Sequence, residues 1–411
     1  MHILKALILA AGLGNRLKPL TSNTPKPLLF VGGKPFLSHT ISALKENEIT
    51  DVCILTGWKS MKIRDFYGNG SDLGVNLTYI EQKDLKGTAS AVLCSEDYMS
   101  EPFVCINGDV LASKENLSRL ISRYNDTKHD VMGIIEVPDA SSFGSVSEKD
   151  GILLDIKEKS DEPLSNFINS GLFVFTPDIF EFLHQTPLSC RGEFEITDTI
   201  MRAGEEKQVH VVHLSDVWVD IGTPQDLLDA NSLLMSSMAP CIEGIVEPGA
   251  VIKGDVVIEK GALVRSGSYL EGPIYISSGC DIGPNCYLRP YTCLAQDVRI
   301  GAAVEVKNSI IMAGTHIPHH NYVGDSIIGE NCNLGSGTKI ANLRFDGKNV
   351  KLHFEDSCVD SQRRKMGAVI GDSVSTGINS MINAGSIIFE NTIIGPGAFV
   401  SGRIAPGSRI L

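Results

Sequence analysis

The chain is 411 residues long, 43% hydrophobic and 21% charged, with 49 acidic against 36 basic side chains and a formal net charge of −13. That length predicts two or three domains with sizeable cores. The acidic balance argues against nucleic acid or an anionic membrane as the main partner, and no apolar run approaches the roughly 20 residues that span a bilayer.

Residues 3–10 read as a continuously apolar strand, the kind buried on both faces of a parallel sheet. The stretch 1–11 is short and runs straight into a glycine turn, so it reads as a strand rather than a signal peptide. It ends at Gly12-Leu-Gly14-Asn-Arg16. Further apolar strands at 52–56, 103–106 and 131–136 alternate with helical stretches at 35–47 and 88–94. That is a βαβ pattern, whose ligands bind beyond the carboxyl ends of the strands. Glycines at such an end let backbone N–H groups face a phosphate chain, although Gly-x-Gly alone serves a tight turn as readily.

Residues 224–238 have helix-like apolar spacing, and the character of the chain then changes. From Val246 through Ile252, Ile258 and Val264 to Met312, an aliphatic residue returns at every sixth position. Small or β-branched residues such as Ala262, Ser268, Cys280 and Cys286 follow four places after. The series resumes at Ile328, Leu334 and Ile340, and again from Ile370 to Val400. A period of six fits neither a helix nor an alternating sheet. It predicts a parallel β-helix of three short strands per coil, with aliphatic side chains stacked coil upon coil. Hexapeptide repeats of this kind resemble the left-handed version. The fold class is therefore α/β, a Rossmann-like domain (1–223), a linker helix (224–240) and a left-handed parallel β-helix (241–411). The series breaks at 318–325 and leaves the coil at 342–366, a polar excursion whose Asp346-Gly347 pair suggests a hairpin tip. The ten cysteines lack CxxC or zinc-like spacing and read as reduced structural thiols in a cytoplasmic protein.

The segment 9–21, Leu-Ala-Ala-Gly-Leu-Gly-Asn-Arg-Leu-Lys-Pro-Leu-Thr, followed by Thr24-Pro-Lys-Pro-Leu-Leu, resembles the signature of sugar-phosphate nucleotidyltransferases. Asn15 departs from the Ser, Thr or Lys more usual there. By this resemblance Ala10, Ala11, Gly12 and Gly14 would cradle the nucleotide, and Arg16 and Lys26 would be the catalytic cations against the phosphates. Gln82 and Gly87-Thr88 match the segment that reads the base. Asp109, in Asn107-Gly108-Asp109, would contact nucleotide and metal, with Asp220 as second metal ligand for Mg²⁺. Gly144, Glu158, Lys159 and Asn169 match the sugar positions.

In the coil, Arg289, Lys307, His319, Tyr322, Asn333, Asn342 and Lys348 fall in one ungapped frame. That frame resembles the acetyltransferase half of bifunctional N-acetylglucosamine-1-phosphate uridylyltransferase / glucosamine-1-phosphate acetyltransferase, most closely its archaeal type. The resemblance implies His319 as general base toward acetyl-CoA, in preference to the adjoining His320, with Asn342 orienting that histidine or the amine. Arg289, Lys307 and Lys348 would hold the sugar 1-phosphate, and Tyr322 and Asn333 would complete the pocket. Gly377-Ile-Asn departs from the small polar residue that bacterial relatives keep after the glycine, in the coils expected to meet acetyl-CoA. UTP or dTTP, sugar-1-phosphates and acetyl-CoA are the expected small-molecule partners, and a homotrimer the expected assembly. Two rival readings stand beside this one. The first is a monofunctional glucose-1-phosphate uridylyl- or thymidylyltransferase on a structural coil, which the His319, Asn342 and Lys348 set opposes. The second is a catalytically silent scaffold subunit, which the presence of Arg16, Lys26, Asp109 and Asp220 opposes.

Overall fold

The computed structural model describes residues 5–354 and 358–411, so Ile3 and Leu4 of the expected first strand lie outside the described residues. The chain divides into two compact units. One comprises Met1–Leu13, Pro25–Pro27 and Leu37–Asp220; the other comprises Gly14–Thr24, Leu28–Phe36 and Ile221–Leu411.

In the first unit the strand Lys5–Ala10 buries Ala6, Leu7 and Ile8 completely. Asp51–Thr56 and Phe103–Asn107 flank it in parallel, and Asn76–Glu81 extends the parallel run to the sheet edge. Unbroken apolar runs are what strands covered on both faces require. The parallel run then stops, contrary to the simple alternation read from sequence. Phe167–Phe175 lies antiparallel between Phe103–Asn107 and Val131–Glu136. Its nine residues are buried nearly throughout, which suits the middle of a nine-stranded mixed sheet rather than an edge. Helices Phe36–Glu46 and Thr88–Leu93 form where the pattern predicts them.

In the second unit the helix Pro224–Ser236 starts from a capping box between Thr223 and Asp226. Short parallel strands then repeat on three faces, beginning at Cys241–Ile242, Ile245–Val246 and Val251–Lys253. Each strand pairs with the strand one coil later, as a left-handed hexapeptide coil requires. Inward residues stack in columns, for example Leu270, Leu288 and Val306 on the third face, all fully buried. Cys280, Cys286 and Cys332 occupy the interior, and burial pushes the Cys280 and Cys332 thiols up to about 12. All ten cysteines are free.

Register corrects the sequence reading at three points. The inward residue after Val306 is Ile311, paired with Leu294, and not Met312. Residues 318–325 do not interrupt the coil, since Ile317 and Val323 point inward and are fully buried. The apparent break is a phase slip: the corners from Val306 to Ile311 and from Val323 to Ile328, both between the third and first faces, are one residue short. The excursion leaves from that same corner, because Ile340 closes the third face and Ile370 resumes the first face directly on Ile328. Within it the hairpin is Lys351–His353 with Cys358–Asp360, so Asp346-Gly347 is not its tip. That pair belongs to a tight turn in which Gly347 N–H donates to the Arg344 carbonyl at 3.1 Å and Asp346 accepts from the Arg344 guanidinium at 2.7 Å. Val350, Leu352 and Met366 bury the excursion's apolar side. No helix among the described residues is long and apolar enough to cross a membrane.

Candidate active sites

The first candidate site gathers at the carboxyl ends of the central strands. Ala10 ends the first strand, Ala11 follows it, both buried, and Gly12 comes next at the surface. At the end of the neighbouring strand, Gly108 N–H donates to the Leu9 carbonyl at 3.0 Å. A methyl group on Gly108 would meet that oxygen at 2.3 Å, so only glycine lets these two strand ends converge. Asp109 follows at once, and Lys26 Nζ stands 3.3 Å from its carboxylate. After the turn, Val110–Ala112 pairs antiparallel with Trp218–Asp220, placing Asp220 opposite Val110. Two aspartates 111 residues apart in sequence thus come within one position of each other across a short ladder. The Trp218 indole N–H anchors that ladder by donating to the Ser170 carbonyl at 2.9 Å.

Hard carboxylate oxygens beside an ammonium suit a hard divalent cation and an anionic ligand. Among the described residues no cluster of three or more His, Cys, Asp or Glu side chains could hold a metal.

The sugar-position residues share the same unit. Glu158 lies opposite Gly144 in the ladder, and Lys159 N–H donates to the Phe143 carbonyl at 2.9 Å. Burial pushes the Glu158 carboxyl up, against the opposing pull of Arg191 and the Thr197 hydroxyl. Arg191, 3.7 Å from Glu158 and 2.6 Å from Glu195, is a cation beside this carboxylate to which the sequence did not point. It stands in an exposed loop with no periodic or charge-run signal to mark it. Asn169 Oδ1 accepts from Gly171 N–H at 3.0 Å, in a turn that packs against Asn107.

Gln82 is buried and donates to the Asp84 carbonyl at 3.1 Å. The Thr88 hydroxyl is engaged by Ile196 N–H at 2.9 Å, and Gly87 lies against Phe194. Gly14, in the left-handed region at φ 63°, and Arg16, over Gly222, belong to the second unit.

The second candidate site lies on the third face of the coil and its exit corner. Arg289 Nη1 donates to Glu305 at 2.8 Å, and Lys307 Nζ stands 3.4 Å from the Asp325 carboxylate. Asn342 Nδ2 donates to Asp325 at 2.5 Å and to the Tyr322 hydroxyl at 3.2 Å. Burial pushes the Tyr322 phenol up, while the bond from Asn342 opposes that shift. Tyr322 and Asn342 meet over Gly324, where a methyl group would lie 2.6 Å from the hydroxyl and 2.7 Å from the amide. Within this chain the Asn342 amide thus serves Asp325 and Tyr322.

His319 is exposed at the entry corner of the same face, and its carbonyl accepts from Gly337 N–H at 3.0 Å. Asn333 lies on the second face beside His316, and Lys348 on the exposed part of the excursion. Arg289, Lys307, Tyr322 and Asn342 are thus gathered on one face within one chain, whereas Asn333 and Lys348 lie elsewhere in the unit. Asp325, only 2% exposed, is likewise a residue to which the sequence did not point.

The geometry defines a nucleotide-sugar type of transferase fold carrying a second polar site on a coil, and the comparisons sharpen that class. The family model described as Nucleotidyl transferase matches residues 5–237, and that described as GMPPB C-terminal domain matches residues 270–363. The chain is similar to the Bifunctional protein GlmU of Methanocaldococcus jannaschii, 41% identical over 396 residues covering 96% of this chain and 94% of the relative. It is also similar to the Bifunctional sugar-1-phosphate nucleotidylyltransferase/acetyltransferase of Sulfurisphaera tokodaii, 39% identical with 98% and 99% covered. Among solved structures, a putative glucose-1-phosphate thymidylyltransferase from Bacillus anthracis matches with a TM-score of 0.53 at 31% identity, covering 56% of this chain and 95% of that one. A UDP-glucose pyrophosphorylase complexed with UDP-glucose matches with a TM-score of 0.53 at 25% identity, covering 57% and 100%. The chain belongs to the nucleotidyl transferase family, within its full-length bifunctional GlmU branch.

Proposed function

We propose that this enzyme makes UDP-N-acetylglucosamine in two steps, acetylating glucosamine 1-phosphate in the coil and coupling the product to UTP in the α/β unit. The observation that supports the second step most is the pairing of Asp220 with Val110, one position from Asp109, whose carboxylate lies 3.3 Å from Lys26. In this reading Asp109 and Asp220 hold Mg²⁺, which when bound neutralises phosphate charge and favours displacement at phosphorus. Lys26 binds the phosphates as negative charge shifts toward the leaving group, and the family resemblance gives Arg16 the same role. A phosphate oxygen of the sugar forms the new bond to the α-phosphorus, the bond to the bridging oxygen breaks, and pyrophosphate departs. Gly144, Glu158, Lys159 and Asn169 orient the sugar, and Gln82 and Gly87 the base. The solved neighbours' names include both a thymidylyltransferase and a UDP-glucose enzyme, so dTTP and other sugar phosphates belong in the assay.

In the coil, His319 takes a proton as the sugar amine attacks the thioester carbonyl of acetyl-CoA. The C–S bond breaks, and the departing thiolate of CoA takes up the proton that His319 accepted. Arg289 and Lys307 hold the 1-phosphate, while Tyr322 and Asn342 hold the ring. The assembly in this reading is a homotrimer whose acetyl site lies in a groove between copies, with Asn333 and Lys348 contributing to its lining. The similarity of the GlmU relatives runs through the coil, which favours this reading over a monofunctional nucleotidyltransferase on an inert shaft.

The test is separability. Asp109→Asn is expected to abolish pyrophosphate release and leave CoA release from acetyl-CoA and glucosamine 1-phosphate intact. No CoA release from the unaltered protein sinks the acetyltransferase half. Unchanged pyrophosphate release by the Asp109 variant sinks the metal assignment.

A further inference from the structure

At the exit corner of the third face, three successive coils place Tyr291, Asn308 and Asp325 in equivalent positions. Each takes a left-handed backbone, with φ of 66°, 43° and 50°. Each donates its N–H to a carbonyl one coil below: Pro273, Pro290 and Lys307 at 2.7, 3.0 and 2.9 Å. Tyrosine and asparagine satisfy this corner, so its backbone geometry does not call for an acid. Yet Asp325 is 2% exposed, and an ionised carboxylate there is costly unless donors surround it.

Donors do surround it. Oδ1 accepts from Asn308 Nδ2 at 2.7 Å, Oδ2 from Asn342 Nδ2 at 2.5 Å, and Lys307 Nζ stands 3.4–3.5 Å from both oxygens. Two of these three donors, Lys307 and Asn342, are residues assigned above to the sugar-phosphate acceptor. The third, Asn308, is buried, and its Oδ1 accepts from the Ser232 hydroxyl at 3.2 Å.

We propose that Asp325 is a positioning residue of the acetyl-transfer site, its carboxylate fixing the Lys307 ammonium and the Asn342 amide for the aminosugar phosphate. The inference rests on the acetyltransferase reading. An ammonium has three N–H donors, so one held toward Asp325 leaves others for a phosphate oxygen. The second Asn342 bond, to Tyr322, extends the same constraint to the phenol over Gly324. Asp325 itself is too buried to touch the sugar and acts through the groups it holds.

Asp325→Asn tests this, with acetyl transfer measured at varied sugar phosphate and varied acetyl-CoA, and uridylyl transfer measured alongside. The KM for glucosamine 1-phosphate is expected to rise about tenfold or more, the cost typical of losing a buried orienting partner. The KM for acetyl-CoA and the uridylyl rate should stay within about twofold of the original. Asp325→Glu keeps the charge, shifts the oxygens by one bond, and should raise the same KM alone. An unchanged sugar-phosphate KM in both variants overturns the proposal. So does an equal rise in both KM values with a lowered melting temperature, which marks a merely structural role. If the unaltered chain releases pyrophosphate but never CoA, the acetyltransferase reading falls first and takes this one with it.

Discussion

The two candidate sites are assembled by opposite routes. In the α/β unit, Lys26, Asp109 and Asp220 come from distant parts of the sequence and meet because strand ends and one short antiparallel ladder converge. In the coil, Asn308, Asp325 and Asn342 recur at intervals of 17 residues and meet because successive coils stack. A site made by convergence depends on several elements holding their places at once. A site made by stacking depends only on adjacent coils, because each coil contacts its nearest neighbours.

That contrast is breakable by experiment, and the largest effect should come from the proposed base. His319→Ala is expected to lower kcat for acetyl transfer by roughly 10²–10⁴-fold, the usual worth of a general base, with uridylyl transfer unaffected. An equal loss in both activities would show that the two sites do not act independently. Next, Lys26→Ala should slow pyrophosphate release by roughly 10²–10³-fold, comparable to losing one preorganised charge-stabilising donor. CoA release serves as its internal control.

Stability sharpens the comparison further. Leu7 in the sheet and Leu288 in the coil are both fully buried, so either Leu→Ala change should cost about 2–5 kcal/mol in denaturant unfolding. If coils answer only to their neighbours, Leu288→Ala should leave the nucleotidyl KM values unchanged. Leu7→Ala, beneath converging strand ends, should raise them. Smallest is a pH effect. Cys280 and Cys332 titrate near 12 when folded, against 9.0 for an ordinary thiol. Below pH 9 both folded and unfolded thiols are protonated and the difference is silent. Between pH 9 and about 12 the unfolded chain releases protons that the folded chain keeps, so stability falls across that window. Melting curves of Cys280→Ala should show a shallower fall there than the original chain.

Much of this was legible in the sequence, for reasons that differ between the units. The coil announced itself because a stacked aliphatic column leaves a strict period; the short corner after Val306 displaced the count onto Met312, and the one after Val323 added to the slip. The excursion's exit was visible as lost periodicity. Its internal pairing was not, because Lys351–His353 and Cys358–Asp360 are too short to leave an alternation. The residues proposed for the phosphate site of the α/β unit were read through a family frame, since nothing in local pattern says that Asp220 faces Val110. Asp325 and Arg191 escaped because an acid at a corner and a cation in a loop look like ordinary surface residues until burial and partners are known.

Ile328 hydrogen-bonds onward to the strand of Ile370 across an excursion of more than twenty residues, and the column of aliphatics passes through without a gap. A shaft that closes seamlessly over an insertion tolerates rewriting at that corner at little cost to its own integrity. The polar loop is thus an insertion at a single corner, one that the stacking of the coils neither requires nor interrupts.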